Sequence, residues 1–121
     1  MVILLVDDNC ESSEALAEFL SRERHTVQRA SNGSEALRLL ADFLTRPALI
    51  FLDLEMPVLD GWGFLAERSK DPILADVPAV IMSGCCDVAE KAKEAGAVAF
   101  VRKPIEPRTL LRLIEHFAER V

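Results

Sequence analysis

Apolar runs in this sequence end on residues that can do chemistry. LLVDD closes on Asp7 and Asp8, IFLD on Asp53, VIMSG on Ser83, and FVRKP on Lys103 followed by Pro104. An isolated ionised carboxylate is very costly to bury, so three of them at the ends of buried-looking runs call for a reason other than packing. Brought together, they repel, and all three stay ionised only with a cation among them. Oxygen donors with no neighbouring His or Cys pair favour a hard ion, Mg²⁺ first. A carboxylate held in this way is also a nucleophile towards phosphorus, and the product is an aspartyl phosphate. No general base is needed, because a carboxylate carries no proton at neutral pH. Mg²⁺ and the Lys103 ammonium would neutralise charge on the moving phosphoryl group, and the Ser83 hydroxyl could hydrogen-bond one of its oxygens.

Taken singly, these residues have ordinary readings. An Asp after a strand commonly caps a helix or a turn, Asp7-Asp8-Asn9 could do the same, and a Lys before Pro is usually a solvated surface residue. Their coincidence at successive strand ends is what argues for a site. That placement depends on the elements. Short continuous apolar runs at Val2–Val6, Ala48–Leu52, Val77–Met82 and Val98–Val101 predict strands covered on both faces, as in a parallel sheet. His25–Ala30 alternates more and reads as an edge strand. Between them, helical stripes fall at Leu16, Phe19 and Leu20; at Ala36, Leu37, Leu40 and Phe43, behind a capping-box pair Asn32 and Glu35; over Gly61–Ser69; at Val88, Ala92 and Ala95, ended by Gly96; and at Leu110, Leu111, Ile114 and Phe117, starting near Glu106 and Pro107. Strict alternation of strand and helix implies an α/β fold, a five-stranded parallel sheet with helices on both faces. The order 2-1-3-4-5, flavodoxin-like, is the expected topology. Ligands of such sheets bind beyond the carboxyl ends of the strands, where the residues named above converge.

The bulk composition narrows the function classes. A chain of 121 residues, half of them hydrophobic, suits one domain over residues 1–121 with one core. No apolar stretch approaches a membrane span, and Val2–Val6 has neither a basic leader nor a small-residue cleavage site beside it. The net charge of −6 makes direct nucleic-acid binding unexpected. Cys10, Cys85 and Cys86 have no bridging or CxxC spacing and read as reduced thiols of a cytoplasmic protein. His25 and His116 have no partner pattern and read as surface residues. Trp62 and the methionines read as packing.

LLVDDN, FLDLEMPVLDGW, VIMSG and EAGAVAFVRKP together resemble the receiver domain of two-component response regulators, in that family's order and spacing and over essentially the whole chain. The resemblance implies a phosphorylation switch in a phosphorelay, which catalyses only its own phosphorylation and slow dephosphorylation and so is not an enzyme in the usual sense. It implies a histidine kinase or histidine phosphotransfer protein as donor and a separate output partner. It makes Asp53 the phosphoacceptor, Asp7 and Asp8 the acidic pair for Mg²⁺ with Asp8 the direct ligand, and the main-chain carbonyl of Glu55 a further ligand. Ser83 and Phe100 stand at the switch positions, Lys103 at the lysine, and Lys103–Pro104 would be a cis bond. Similar domains switch the surface made by the helix after the fourth strand, the fifth strand and the last helix, either as monomers or as phosphorylation-dependent dimers. Two features depart from the common pattern. Phe100 stands where Tyr is frequent, and Glu55 and Cys85 occupy the two positions that flank the path of hydrolytic water in similar domains.

Two other classes compete. A haloacid-dehalogenase-like phosphatase also uses a strand-end Asp, here Asp53, with an acidic residue two positions on. Its second residue is usually Asp rather than Glu55, and it leaves the pair Asp7 and Asp8 unexplained. A flavodoxin-like cofactor module would need a hydroxyl- and glycine-rich phosphate loop after the first strand, which this sequence lacks.

Overall fold

The computed structural model describes residues 1–41, 46–54, 59–84 and 89–118. Five strands, β1 (Val2–Val6), β2 (Thr26–Ala30), β3 (Leu49–Asp53), β4 (Ala79–Ser83) and β5 (Ala99–Arg102), form one parallel sheet in the order β2-β1-β3-β4-β5. The helices are α1 (Cys10–Arg22), α2 (Gly33–Leu40), α3 (Gly61–Ser69), α4 (Pro72–Ala75), α5 (Ala89–Glu94) and α6 (Pro107–Phe117). Topology and the edge position of β2 follow the expectation from periodicity.

Period-2 alternation divides the core between the two faces of the sheet. Ile3, Leu5, Leu49, Phe51, Val80 and Met82 pack with Leu16 and Leu20 of α1 and Leu110 and Ile114 of α6. Leu4, Val6, Ile50, Leu52, Ala79 and Ile81 pack with Ala36 and Leu40 of α2, Phe64 and Leu65 of α3 and Ala92 of α5. The central strands β3 and β4 are buried at every residue, which is why their sequences are continuously apolar rather than alternating.

The caps show how the helices start. Asn9 caps α1, its side chain accepting the Ser12 N–H, and Asp60 caps α3 by accepting from Gly63, each satisfying an N–H that has no partner within the helix. Asn32 accepts the Glu35 N–H at 2.8 Å. Glu35, however, returns its carboxylate to the Ser31 hydroxyl at 2.9 Å rather than to the Asn32 main chain, so the capping box is formed on one side only. Gly96, at φ +97°, ends α5 in the left-handed conformation that glycine adopts without steric cost.

Some boundaries differ from the sequence expectation. β4 begins two residues later than Val77 and runs on through Ser83, and β3 includes Asp53. α2 ends at Leu40, while Phe43 and Val88 lie outside the described residues. The single turn α4 has too few residues to show a period. Arg68 holds it: its guanidinium donates to Val77 O at 2.7 Å and Ala75 O at 3.0 Å. This arginine is only 3% exposed, and burial lowers its pKa from the usual guanidinium value. An Arg remains charged even so, and carbonyl acceptors let it stay buried.

Candidate functional site

Strand register builds the site. Val6 pairs with Leu52, Asp53 with Met82 and Ser83 with Arg102, so the carboxyl ends of β1, β3, β4 and β5 finish at nearly the same level. Asp7 follows β1, Asp53 is the last residue of β3, Ser83 the last of β4, and Lys103 follows β5.

Asp7, Asp53 and Ser83 are buried, at 4%, 2% and 1% exposure, while Asp8 is exposed. One carboxylate oxygen from each of Asp7, Asp8 and Asp53 lies within 4.8 Å of the others. The Lys103 ammonium is 3.2 Å from Asp53 Oδ2. Lys103 is itself tethered, because its main-chain N–H donates to Ser83 O at 2.8 Å, and its peptide bond to Pro104 is cis. Asp7 Oδ1 accepts the Asn9 N–H at 2.9 Å, and the Asp7 N–H donates to Ala30 O at 3.0 Å. Asp7 is therefore held on both sides of its Cα, and Asn9 both caps α1 and leaves its N–H for Asp7.

The donor set fits a hard divalent cation. Three carboxylates meet one ammonium, two of the three are buried, and every candidate ligand is oxygen. A magnesium-sized charge relieves that crowding. Glu55, assigned a main-chain ligand role by family resemblance, lies outside the described residues, as does Cys85.

Ser83 and Phe100 share a face. Ser83 continues the Ala79–Ile81 alternation, Phe100 pairs with Ile81, and Phe100 is half-buried against the core that includes Ala92 of α5. Two neighbouring contacts gave no signal in the sequence. Lys91 of α5 lies over the ring of Trp62 in α3, 4.8 Å from its centroid. Arg29 at the end of β2 donates to the Ser13 hydroxyl at 2.9 Å and to Cys10 O at 3.2 Å, fastening the first turn of α1 to the sheet edge.

Residues 3–115 match the family model described as response regulator receiver domain. The chain is a response regulator receiver domain. Among curated relatives, a probable transcriptional regulator ycf27 of Guillardia theta is 37% identical over 110 residues, covering 89% of this chain and 41% of its own length. The chemotaxis protein CheV3 of Helicobacter pylori is 34% identical over 84% of this chain and 36% of its own length. The receiver thus spans less than half of those relatives. Among solved structures, the receiver domain of NtrX from Brucella abortus superposes with a TM-score of 0.86 at 32% identity, covering 98% of this chain and 99% of that one. A putative response regulator from Chloroflexus aurantiacus gives 0.89 at 27%, with 98% of both chains covered.

The receiver is a module of two-component signalling, and the dehalogenase-like phosphatase reading is set aside by a family match over nearly its whole length. Receiver domains are normally phosphorylation switches rather than catalytic enzymes, typically bind Mg²⁺ through an acidic pocket, and meet histidine kinases and output domains. Among the described residues, no helix is long and apolar enough to cross a membrane.

Proposed function

We propose that Asp53 accepts a phosphoryl group from a phosphohistidine on a histidine kinase or phosphotransfer protein, and that the modification changes the surface made by α5, β5 and α6. The observation that carries this reading is the environment of one carboxylate. Asp53 is buried at a strand end, within 4.8 Å of two other carboxylates and 3.2 Å from an ammonium. Structural carboxylates are not usually crowded in this way.

An Asp53 oxygen attacks phosphorus and forms the O–P bond. The P–N bond of the donor breaks, and the departing imidazole keeps the electron pair and takes a proton from solvent. Asp7, Asp8 and Asp53, with the Glu55 carbonyl, would hold Mg²⁺, which when bound supplies positive charge for the phosphoryl oxygens. Lys103 exchanges its carboxylate partner for a phosphoryl oxygen, and Ser83 donates its hydroxyl to another. A cleft of about 320 Å³ between α1 and the start of α6, lined by Asp7, Leu16, Lys103, Pro104 and Ile105, opens beside the site at Asp7 and Lys103. The free thiol of Cys10 fits a cytoplasmic exchange.

Withdrawal of the Ser83 hydroxyl towards the phosphoryl group vacates space on the α5 face of the sheet, and Phe100 rotates into it. Having no hydroxyl, Phe100 moves by packing alone. The surface altered includes a groove of about 590 Å³ lined by Ala89, Ala92, Val98, Phe100 and Phe117. A partner or second subunit that prefers the switched state then binds more tightly.

Incubation with a small acyl phosphate and Mg²⁺, followed by phosphopeptide mapping, tests the acceptor. The expected result is one label per chain, on Asp53, abolished by excess chelator. A label on Asp7 or Asp8, or full labelling in chelator, overturns the assignment.

A further inference from the structure

Leu59 has a φ of +65°, a left-handed conformation that persists in a residue with a Cβ only where its surroundings hold it. The Gly33 N–H, at the start of α2, donates to Leu59 O at 3.2 Å. A Cβ on Gly33 would stand 2.5 Å from that same oxygen and 3.1 Å from Leu59 Cγ, and one on Gly63 would stand 2.6 Å from Leu59 Cδ1. At Gly63 the obstacle is the far end of a side chain, which can turn aside. At Gly33 it is a main-chain carbonyl, which moves only if the chain around it moves.

That chain leads directly to the site. Two residues after Leu59, the Gly61 N–H donates to Leu54 O at 3.1 Å. A Cβ on Gly61 would stand 2.8 Å from Leu54 Cα and 3.0 Å from Asp53 O, so the Gly61 backbone lies flat against the main chain of Asp53. Ala30, the last residue of β2, accepts the Asp7 N–H at 3.0 Å, so the chain that leads into Gly33 leaves the sheet beside Asp7. The start of α2 thus lies a few residues beyond a strand end bonded to Asp7 and is linked, through Leu59 and Gly61, to the main chain of Leu54 and Asp53.

We infer that Gly33 and Leu59 are positioning residues for phosphoryl transfer: the pairing of β1 with β3 sets the spacing of the Asp7 and Asp53 main chains, and the Gly33–Leu59 contact braces the Leu59–Gly61 segment against the Asp53 end of β3, although neither residue touches a reacting atom. The inference rests on Asp53 being the acceptor. A methyl group at Gly33 forces Leu59 O back by several tenths of an ångström, and the Gly61–Leu54 hydrogen bond passes part of the shift to the main chain at Asp53. A misplacement of about 1 Å between reacting groups can cost around a hundredfold in rate, so a smaller one is expected to cost roughly tenfold.

The test compares Gly33→Ala, Leu59→Gly and Leu40→Ala with the unaltered chain, using acyl phosphate and Mg²⁺ at a temperature where each is folded. Leu59→Gly relieves the left-handed strain while removing the side chain wedged between Gly33 and Gly63, so it remains folded if Gly33→Ala does not. Leu40→Ala opens a cavity in the same helix, away from the seam. The expected result is a rate constant at saturating donor about tenfold lower for both seam variants, with the donor concentration for half-maximal rate little changed. Leu40→Ala should lose more thermal stability than either and keep the full rate. Seam variants labelled at the unaltered rate, or a Leu40→Ala variant slowed as much as they are, overturn the inference. If the unaltered chain carries its label elsewhere than Asp53, the acceptor reading has failed and takes this inference with it.

Discussion

Every residue of β3 is buried, whereas β5 has three half-buried residues and one exposed. The helix that follows β3 and the helix that precedes β5 differ in the same direction. α3 buries Gly61, Phe64, Leu65 and Arg68, while α5 has six residues with Ala92 buried among them. Asp53 thus stands on one of the two fully buried strands of the sheet, and Phe100 on a less well-packed edge beside a weakly anchored helix. A phosphoacceptor needs fixed geometry, which close packing supplies. A switch needs an element whose two positions differ little in free energy, and such elements come from the weakly packed end of a structure. The receiver places the two requirements on β3 and β5, with Ser83 on β4 between them.

The largest expected effect lies on the rigid side. Asp53→Asn should take up no phosphoryl group, because an amide is a poor nucleophile. It also removes one of three crowded negative charges and gives up the ion pair to the partly solvated Lys103, and the relief of repulsion is expected to be the larger of the two. Its thermal midpoint in chelator should therefore exceed that of the unaltered chain. A lower midpoint would show that the Lys103 contact outweighs the repulsion.

Next comes the element between the two regions. Ser83→Ala should still be phosphorylated, because the nucleophile and its charged neighbours are intact, but should lose most of the gain in partner affinity. Titration against an output partner with and without a beryllofluoride phosphoryl mimic reads this directly. If Ser83→Ala and Phe100→Ala both retained the full gain, the signal would be reaching the partner by a route that avoids the α5 face.

The smallest effect belongs to α5 itself. Lys91 over Trp62 is a cation–π contact of the exposed kind, worth about 0.5–1 kcal/mol, and it ties α5 to α3. Lys91→Met should speed amide exchange in α5 by roughly two- to fivefold and leave exchange in β3 unaltered. Trp62 is the only tryptophan in the chain, so its fluorescence follows the same contact. Equal acceleration in α5 and β3 would mean that the two regions open together and that the contrast drawn above is false.

Much of the site was readable before folding because it lies where hydrophobic runs end. Asp7, Asp53, Ser83 and Lys103 each stop such a run, and strand order in a parallel α/β sheet brings run ends to one edge whatever the loops do. The helix over Gly61–Ser69 and the caps at Asn32 and Gly96 were equally visible, since caps and periods are properties of adjacent residues. Burial of Arg68 was not visible. Its stabilising acceptors, the carbonyls of Ala75 and Val77, are main-chain atoms that every residue type carries. The same is true of Gly33, whose neighbour in sequence is an ordinary cap and whose neighbour in space is the Leu59 carbonyl.

Fold class, strand order and the identity of the carboxylates were thus written in the one-dimensional pattern, because hydrophobic periodicity records which face of each element meets the core. The 3.2 Å approach of Lys103 to Asp53, the seam between Gly33 and Leu59, and the contrast between a buried β3 and a half-exposed β5 arose on folding. Each of them is a distance between segments far apart in the chain, and packing of the whole domain sets such distances.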